Sequence, residues 1–125
     1  MLRVIVCGLA LATAASLAAA QQVPAAFIGH WKAQWQTERQ SYSAELELTD
    51  TGGSWQTATS SRANPCFGRK VPLRHDRVTP NSLDITLMFS DVIQGCKNAT
   101  VKLQLDDQGK VTGQRSGYDL TLTRD

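Results

Sequence analysis

The sequence has 125 residues, with 13 Lys and Arg against 11 Asp and Glu and a net charge of +2. That is chain for one domain, long enough to bury a core, and a charge too small to steer it towards nucleic acid or an acidic membrane. Two histidines, His30 and His75, and three cysteines leave few groups for metal or nucleophile chemistry.

The first twenty residues read as an export signal. Arg3 supplies the positive start, Val4 to Ala15 the apolar stretch, and Ala18-Ala19-Ala20 a small-residue cleavage site before Gln21. Cleavage removes 20 of 125 residues, Arg3 and Cys7 among them, and leaves 105 residues with a net charge of about +1. An anchor is disfavoured because the apolar run is at the lower limit for a span and no second one follows. The expectation is a periplasmic or secreted bacterial protein with no stable membrane anchor. Cys66 and Cys96, 30 positions apart, then meet an oxidising compartment and pair. Closing that loop stabilises by about 3–4 kcal/mol, and the lack of a Cys-x-x-Cys spacing makes the bond a staple rather than a redox centre.

Gln21 to Ile28 forms an amino-terminal segment, and a single domain runs from Gly29 to Asp125. From there apolar residues recur with a period of two, the mark of half-buried strands. Trp31, Ala33 and Trp35 face one way, and Lys32, Gln34 and Gln36 the other. Tyr42, Ala44, Leu46 and Leu48 repeat the pattern up to Asp50-Thr51-Gly52-Gly53, a hairpin turn leading to a strand with Trp55 and Thr57. A loop from Thr59 to Gly68 follows. Val71, Leu73 and His75 alternate with Lys70, Pro72 and Arg74, and the proline predicts an edge or a bulge there. Leu83, Ile85, Leu87 and Phe89 form the next strand, and an irregular stretch runs from Asp91 to Cys96. Ala99, Val101, Leu103 and Leu105 lead to the turn Asp106 to Gly109, then a last hairpin pairs Lys110–Gln114 with Tyr118–Thr123. About eight short strands alternating on one face predict an all-β fold, a small antiparallel barrel, with a β-sandwich as the alternative. Closure is preferred because it removes edges that only Pro72 otherwise protects.

Gly29-His30-Trp31 opening the first strand, with Leu120-Thr121-Leu122-Thr123-Arg124 ending the last, resembles the signature of the calycin group: lipocalins, avidins and bacterial metalloprotease inhibitors. The resemblance implies that Trp31 plugs the bottom of the barrel. It also implies that Arg124 packs across the indole as a cation over a π face, and that Gly29 permits close backbone approach. For the metalloprotease inhibitors it further implies an amino-terminal segment that enters the protease cleft, of which only the location, Gln21 to Phe27, carries over. The plainer reading makes Trp31 and Trp35 core aromatics of any β-domain.

Catalytic constellations are nearly lacking: His75 and Asp76 are adjacent on a strand and point to opposite faces, and the two histidines lack zinc-site spacing. No enzyme activity, metal or cofactor is expected. The better candidate is the region bracketed by the cysteines. Arg62, Arg69, Lys70, Arg74 and Arg77 are opposed locally only by Asp76, and Phe67, Val92 and Ile93 add apolar side chains on two irregular segments that one disulfide holds together. The opposing readings are a solvated cationic face and a small cluster packed over the disulfide. Two functions remain. One is an interaction protein, in its narrower form an enzyme inhibitor, whose partner is a protein or an anionic surface. It would bind through Phe67, Arg69, Lys70, Arg74, Val92 and Ile93 or through the amino-terminal segment. The other is a carrier of a small apolar ligand at the barrel mouth.

Overall fold

A computed structural model describes residues 22–59 and 64–125, so the stretch expected to be an export signal and Arg62 lie outside the described residues. The period-two pattern becomes eight strands: β1 (Gly29–Gln36), β2 (Ser41–Leu48), β3 (Gly53–Thr57), β4 (Lys70–Thr79), β5 (Ser82–Leu87), β6 (Ala99–Leu105), β7 (Val111–Arg115) and β8 (Tyr118–Arg124). Each pairs antiparallel with the next, and β8 returns to β1, closing the barrel. The fold is therefore the antiparallel barrel and not the sandwich, and it is consistent with a calycin-like barrel.

Two strands change partners along their length. β4 pairs with β3 from Lys70 to Pro72 and with β5 from Leu73 on, while β8 pairs with β7 as far as Leu120 and with β1 from Thr121. Such switching strands are corners at which two sheets turn into one another. The bulge in β4 falls between His75 and Arg77, at Asp76 and not at the proline. Pro72 is neither an edge residue nor bulged: it pairs with Ser54, and its carbonyl accepts the Met88 N–H (2.9 Å). Having no N–H to return, it leaves the Met88 carbonyl to accept Asp91 N–H (3.2 Å) instead. The chain peels into a 3₁₀ turn, Phe89–Asp91, so the strand expected to reach Phe89 stops at Leu87.

The inward rows pack a filled interior. Trp55, Leu46, Leu48, Leu83, Ile85, Leu87 and Leu103 are fully buried, with Trp31 and Trp35 nearly so. The small inward residues Ala33 and Ala44 face each other across β1 and β2, leaving room for indoles above and below. Gly113 is already crowded, for a Cβ there would stand 2.9 Å from Leu103 Cδ2. Among the described residues no helix is long and apolar enough to cross a membrane.

One end of the barrel is closed by the segment that precedes β1. Pro24 leads into a 3₁₀ turn, Ala25–Phe27, whose Phe27 is fully buried. Trp31 Nε1 donates to the Phe27 carbonyl (2.9 Å), and Arg124 donates from Nη1 to the Ile28 carbonyl (2.8 Å) and from Nη2 to that of Ala26 (2.6 Å). The guanidinium carbon lies 4.3 Å from the Trp31 ring centroid. Gly29 has φ +132°, and a side chain there would collide with Arg124 Nη1 at 2.8 Å. The amino-terminal segment is thus bonded to the barrel floor from Ala26 to Ile28.

Candidate functional site at the disulfide end

The opposite end carries the β1–β2, β3–β4, β5–β6 and β7–β8 connections. Cys66 and Cys96 are joined, with Cα atoms 5.8 Å apart, tying the β3–β4 loop to the segment after β5. The bond marks a non-reducing environment. Arg69 Nη1 donates to the Val92 carbonyl (3.3 Å) and strengthens the same junction.

The structure brings Cys66, Phe67, Arg69, Val92, Ile93 and Cys96 to this end. Ile93 and Cys96 are buried, and Cys66 and Val92 pack half-buried against the core, so the aliphatic residues form the cluster over the disulfide and not an exposed patch. Phe67 is half-buried and meets Tyr42 edge-on, with centroids 5.8 Å apart. Lys70 and Arg74 instead lie exposed down the outer wall of β4. Arg74 Nε bonds Asp76 Oδ1 (2.8 Å), so that cation is spoken for. Burial works to raise the Asp76 pKa, but hydrogen bonds from Thr86 and Arg74 outweigh it and hold the carboxyl below its ordinary value. His75 turns away, with Nε2 2.9 Å from the Gly52 carbonyl oxygen, so His75 and Asp76 do not meet.

The residue that the sequence pattern had not singled out is Arg115. It ends β7, where Val111 and Gly113 are buried and the next residue of the same parity must point inward. Its guanidinium carbon lies 5.0 Å from the Trp35 ring centroid and 5.9 Å from that of Trp55. Trp35 in turn stacks on Tyr42 (5.4 Å, 14°) and tilts against Trp55 (5.6 Å, 43°). Trp55 Nε1 is satisfied by Thr57 Oγ1 at 2.9 Å. Arg115 is not: its Nε is buried and has no hydrogen-bond partner among the described residues. Burial pulls the Arg115 pKa below its ordinary value, with Tyr42 pulling the other way. An expected boundary at Gln114 hid this residue, and extending the inward row Val111, Gly113 by one step recovers it.

Beside this cluster the wall is open. Pairing of β1 with β8 stops at Gln34 opposite Thr121, leaving the upper ends of the two strands apart. A cleft of about 650 Å³ lies there, walled by Trp35, Tyr42 and Tyr118 with Gln34, Gln36 and Asp119. Tyr118 is 41% exposed, a large side chain open to solvent on the cleft wall.

No family profile, curated protein or solved structure matches this chain.

Proposed function

We propose that this is an exported interaction protein, periplasmic or secreted, that binds a protein partner through its disulfide-tied end. The observation that carries the reading is the filled interior: three indoles and a set of fully buried Leu and Ile side chains occupy the space a carrier would keep for cargo. Recognition is left to the outside. Of the two ends, the floor has its carbonyls and Arg124 bonded to one another, whereas the other presents Phe67 and Arg69 and, on the wall of an open cleft, Tyr118. Aromatic residues and arginine are the side chains that anchor protein interfaces. The bonded floor also speaks against the amino-terminal segment as the binding element from Ala26 on. Kinship with the metalloprotease inhibitors, and inhibition as the outcome of binding, stand as the finer form of the proposal.

The test is capture of a partner from the native extract by the immobilised protein. Arg69→Glu combined with Tyr118→Ser alters exposed groups at the disulfide end, and Lys110→Glu alters an exposed turn at the floor. Loss of capture in the first with retention in the second supports the proposal, and equal capture by both removes it. The 650 Å³ cleft favours a second reading, a small-ligand carrier at the mouth. Native mass spectrometry of the protein purified from its own compartment separates the two, since a carrier brings a bound small molecule with it.

A further inference from the structure

We infer that the disulfide end is a carboxylate receptor centred on Arg115, and that the carboxylate is presented by the protein partner proposed above, on which this inference rests. Among the described residues, Arg115 keeps a positive charge in a half-buried position with neither a carboxylate nor a carbonyl bonded to it, and its Nε is buried without an acceptor. What holds the guanidinium is the faces of Trp35 and Trp55. An aromatic platform fixes the plane of the group and leaves its edge donors unused, and a planar fork with free edge donors is matched by a carboxylate.

Three further observations narrow the occupant. The aromatic cluster would suit a cationic ligand, but Arg115 already fills that role. Asp119, the acid on the cleft wall, is directed to Gln114, whose Nε2 stands 3.4 Å from its Oδ1, and not to Arg115. Arg69, exposed at the same end, adds charge of the same sign. The upper ends of β1 and β8, unpaired with each other, leave a cleft whose wall includes Trp35, the ring that carries the guanidinium. Arg124 shows the contrasting arrangement: it too lies over an indole, but its two Nη nitrogens are committed to carbonyls.

The experiment follows intrinsic tryptophan fluorescence of the folded, disulfide-bonded protein during titration with sodium benzoate, with benzamide as the neutral isostere, at fixed ionic strength. Expected is a saturable change with benzoate and affinity for benzamide weaker by at least about tenfold, the effect of one hydrogen bond to a charged group. Arg115→Gln abolishes the benzoate response, and Arg124→Gln leaves it in place. Equal affinity for the two probes, no response to benzoate, or an unchanged titration in Arg115→Gln overturns the receptor. If Arg115→Gln does not fold by near-ultraviolet circular dichroism, Arg115→Lys takes its place. It keeps the charge without the fork and must bind benzoate about tenfold more weakly, and unchanged affinity overturns the proposal. Partner capture lost in Arg115→Gln, or competed by benzoate, supports the partner as the source. A benzoate response with capture indifferent to Arg115 makes a free carboxylate ligand the source and overturns that assignment. Capture lost only in the Arg69 and Tyr118 variant, with no benzoate response, removes the receptor and leaves the binding face standing.

Discussion

The barrel has an arginine over a tryptophan at each end, and the two are not equivalent. At the floor, Arg124 lies 4.3 Å over Trp31 and its Nη nitrogens donate to the Ile28 and Ala26 carbonyls. At the disulfide end, Arg115 lies 5.0 Å over Trp35, and its buried Nε has no partner among the described residues. The same pair of side chains thus serves closure where both Nη nitrogens are bonded, and under the proposal above it serves recognition where donors are kept free. A cation–π contact holds a guanidinium in place without consuming its hydrogen bonds, and what the remaining donors meet decides its role.

The largest expected effect breaks the floor. Trp31→Ala removes an indole that packs against the core and anchors the Phe27 carbonyl, and the cost is about 3–5 kcal/mol, read by urea unfolding. Removing the staple at the other end comes next. Replacing Cys66 and Cys96 together by Ala costs about 3–4 kcal/mol for a separation of 30 residues. Hydrogen exchange then distinguishes the ends: amides of the β3–β4 loop and of Val92–Cys96 lose protection, while those paired between β1 and β2 near Gly29 keep theirs. Uniform loss would mean that the ends are not separable.

The two arginines supply the most direct contrast. Arg124→Met discards two hydrogen bonds and a cation–π contact, and destabilises by about 1–3 kcal/mol. Arg115→Met gives up its aromatic contacts too, worth about 0.5–2 kcal/mol, but relieves a buried unpaired donor whose cost is about 1–3 kcal/mol, so stability holds or rises. Paired denaturant curves for the two variants check the sign. A loss at Arg115 as large as at Arg124 would make both ends structural.

Much of this architecture is legible in the residue order, and the floor more so than the mouth. Period-two alternation marks all eight strands, because a strand with one wet face must alternate. Asp50–Gly53 and Asp106–Gly109 mark turns by residue chemistry alone, and Trp31 with Arg124 marks the floor. What escapes depends on register. That Pro72 has no N–H is visible in the sequence, but that its partner is Met88, whose freed carbonyl starts the turn containing Phe89, is a fact of pairing between strands. The binding candidates divide for the same reason: Phe67, Arg69, Val92 and Ile93 converge because the disulfide joins their segments, whereas Lys70 and Arg74 follow the outward row of β4 away from the mouth. Arg115 escapes because an arginine at a strand end reads as solvated, although its parity places it inside.

The smallest effect concerns the wall between the ends and tests whether they respond separately to pH. Asp76, at the β4 bulge, accepts from Arg74 Nε and Thr86 Oγ1, and its pKa lies below the ordinary 3.8. A carboxyl depressed by folding contributes stability that is fully present above its unfolded value and is lost as pH falls through its folded one. The wall is therefore expected to loosen only below about pH 4, and by a small amount, because the Arg74–Asp76 pair is largely solvated. Protonation also frees Arg74, adding an unpaired cation beside Lys70 on the outer wall of β4. Asp76→Asn should flatten the acid limb of the stability profile measured by thermal unfolding from pH 6 down, leaving the Arg124→Met and Arg115→Met differences unchanged at neutral pH. An acid limb that persists in Asp76→Asn would assign the loss to another carboxylate, and a shift in the Arg115 difference would show that the wall and the mouth are coupled.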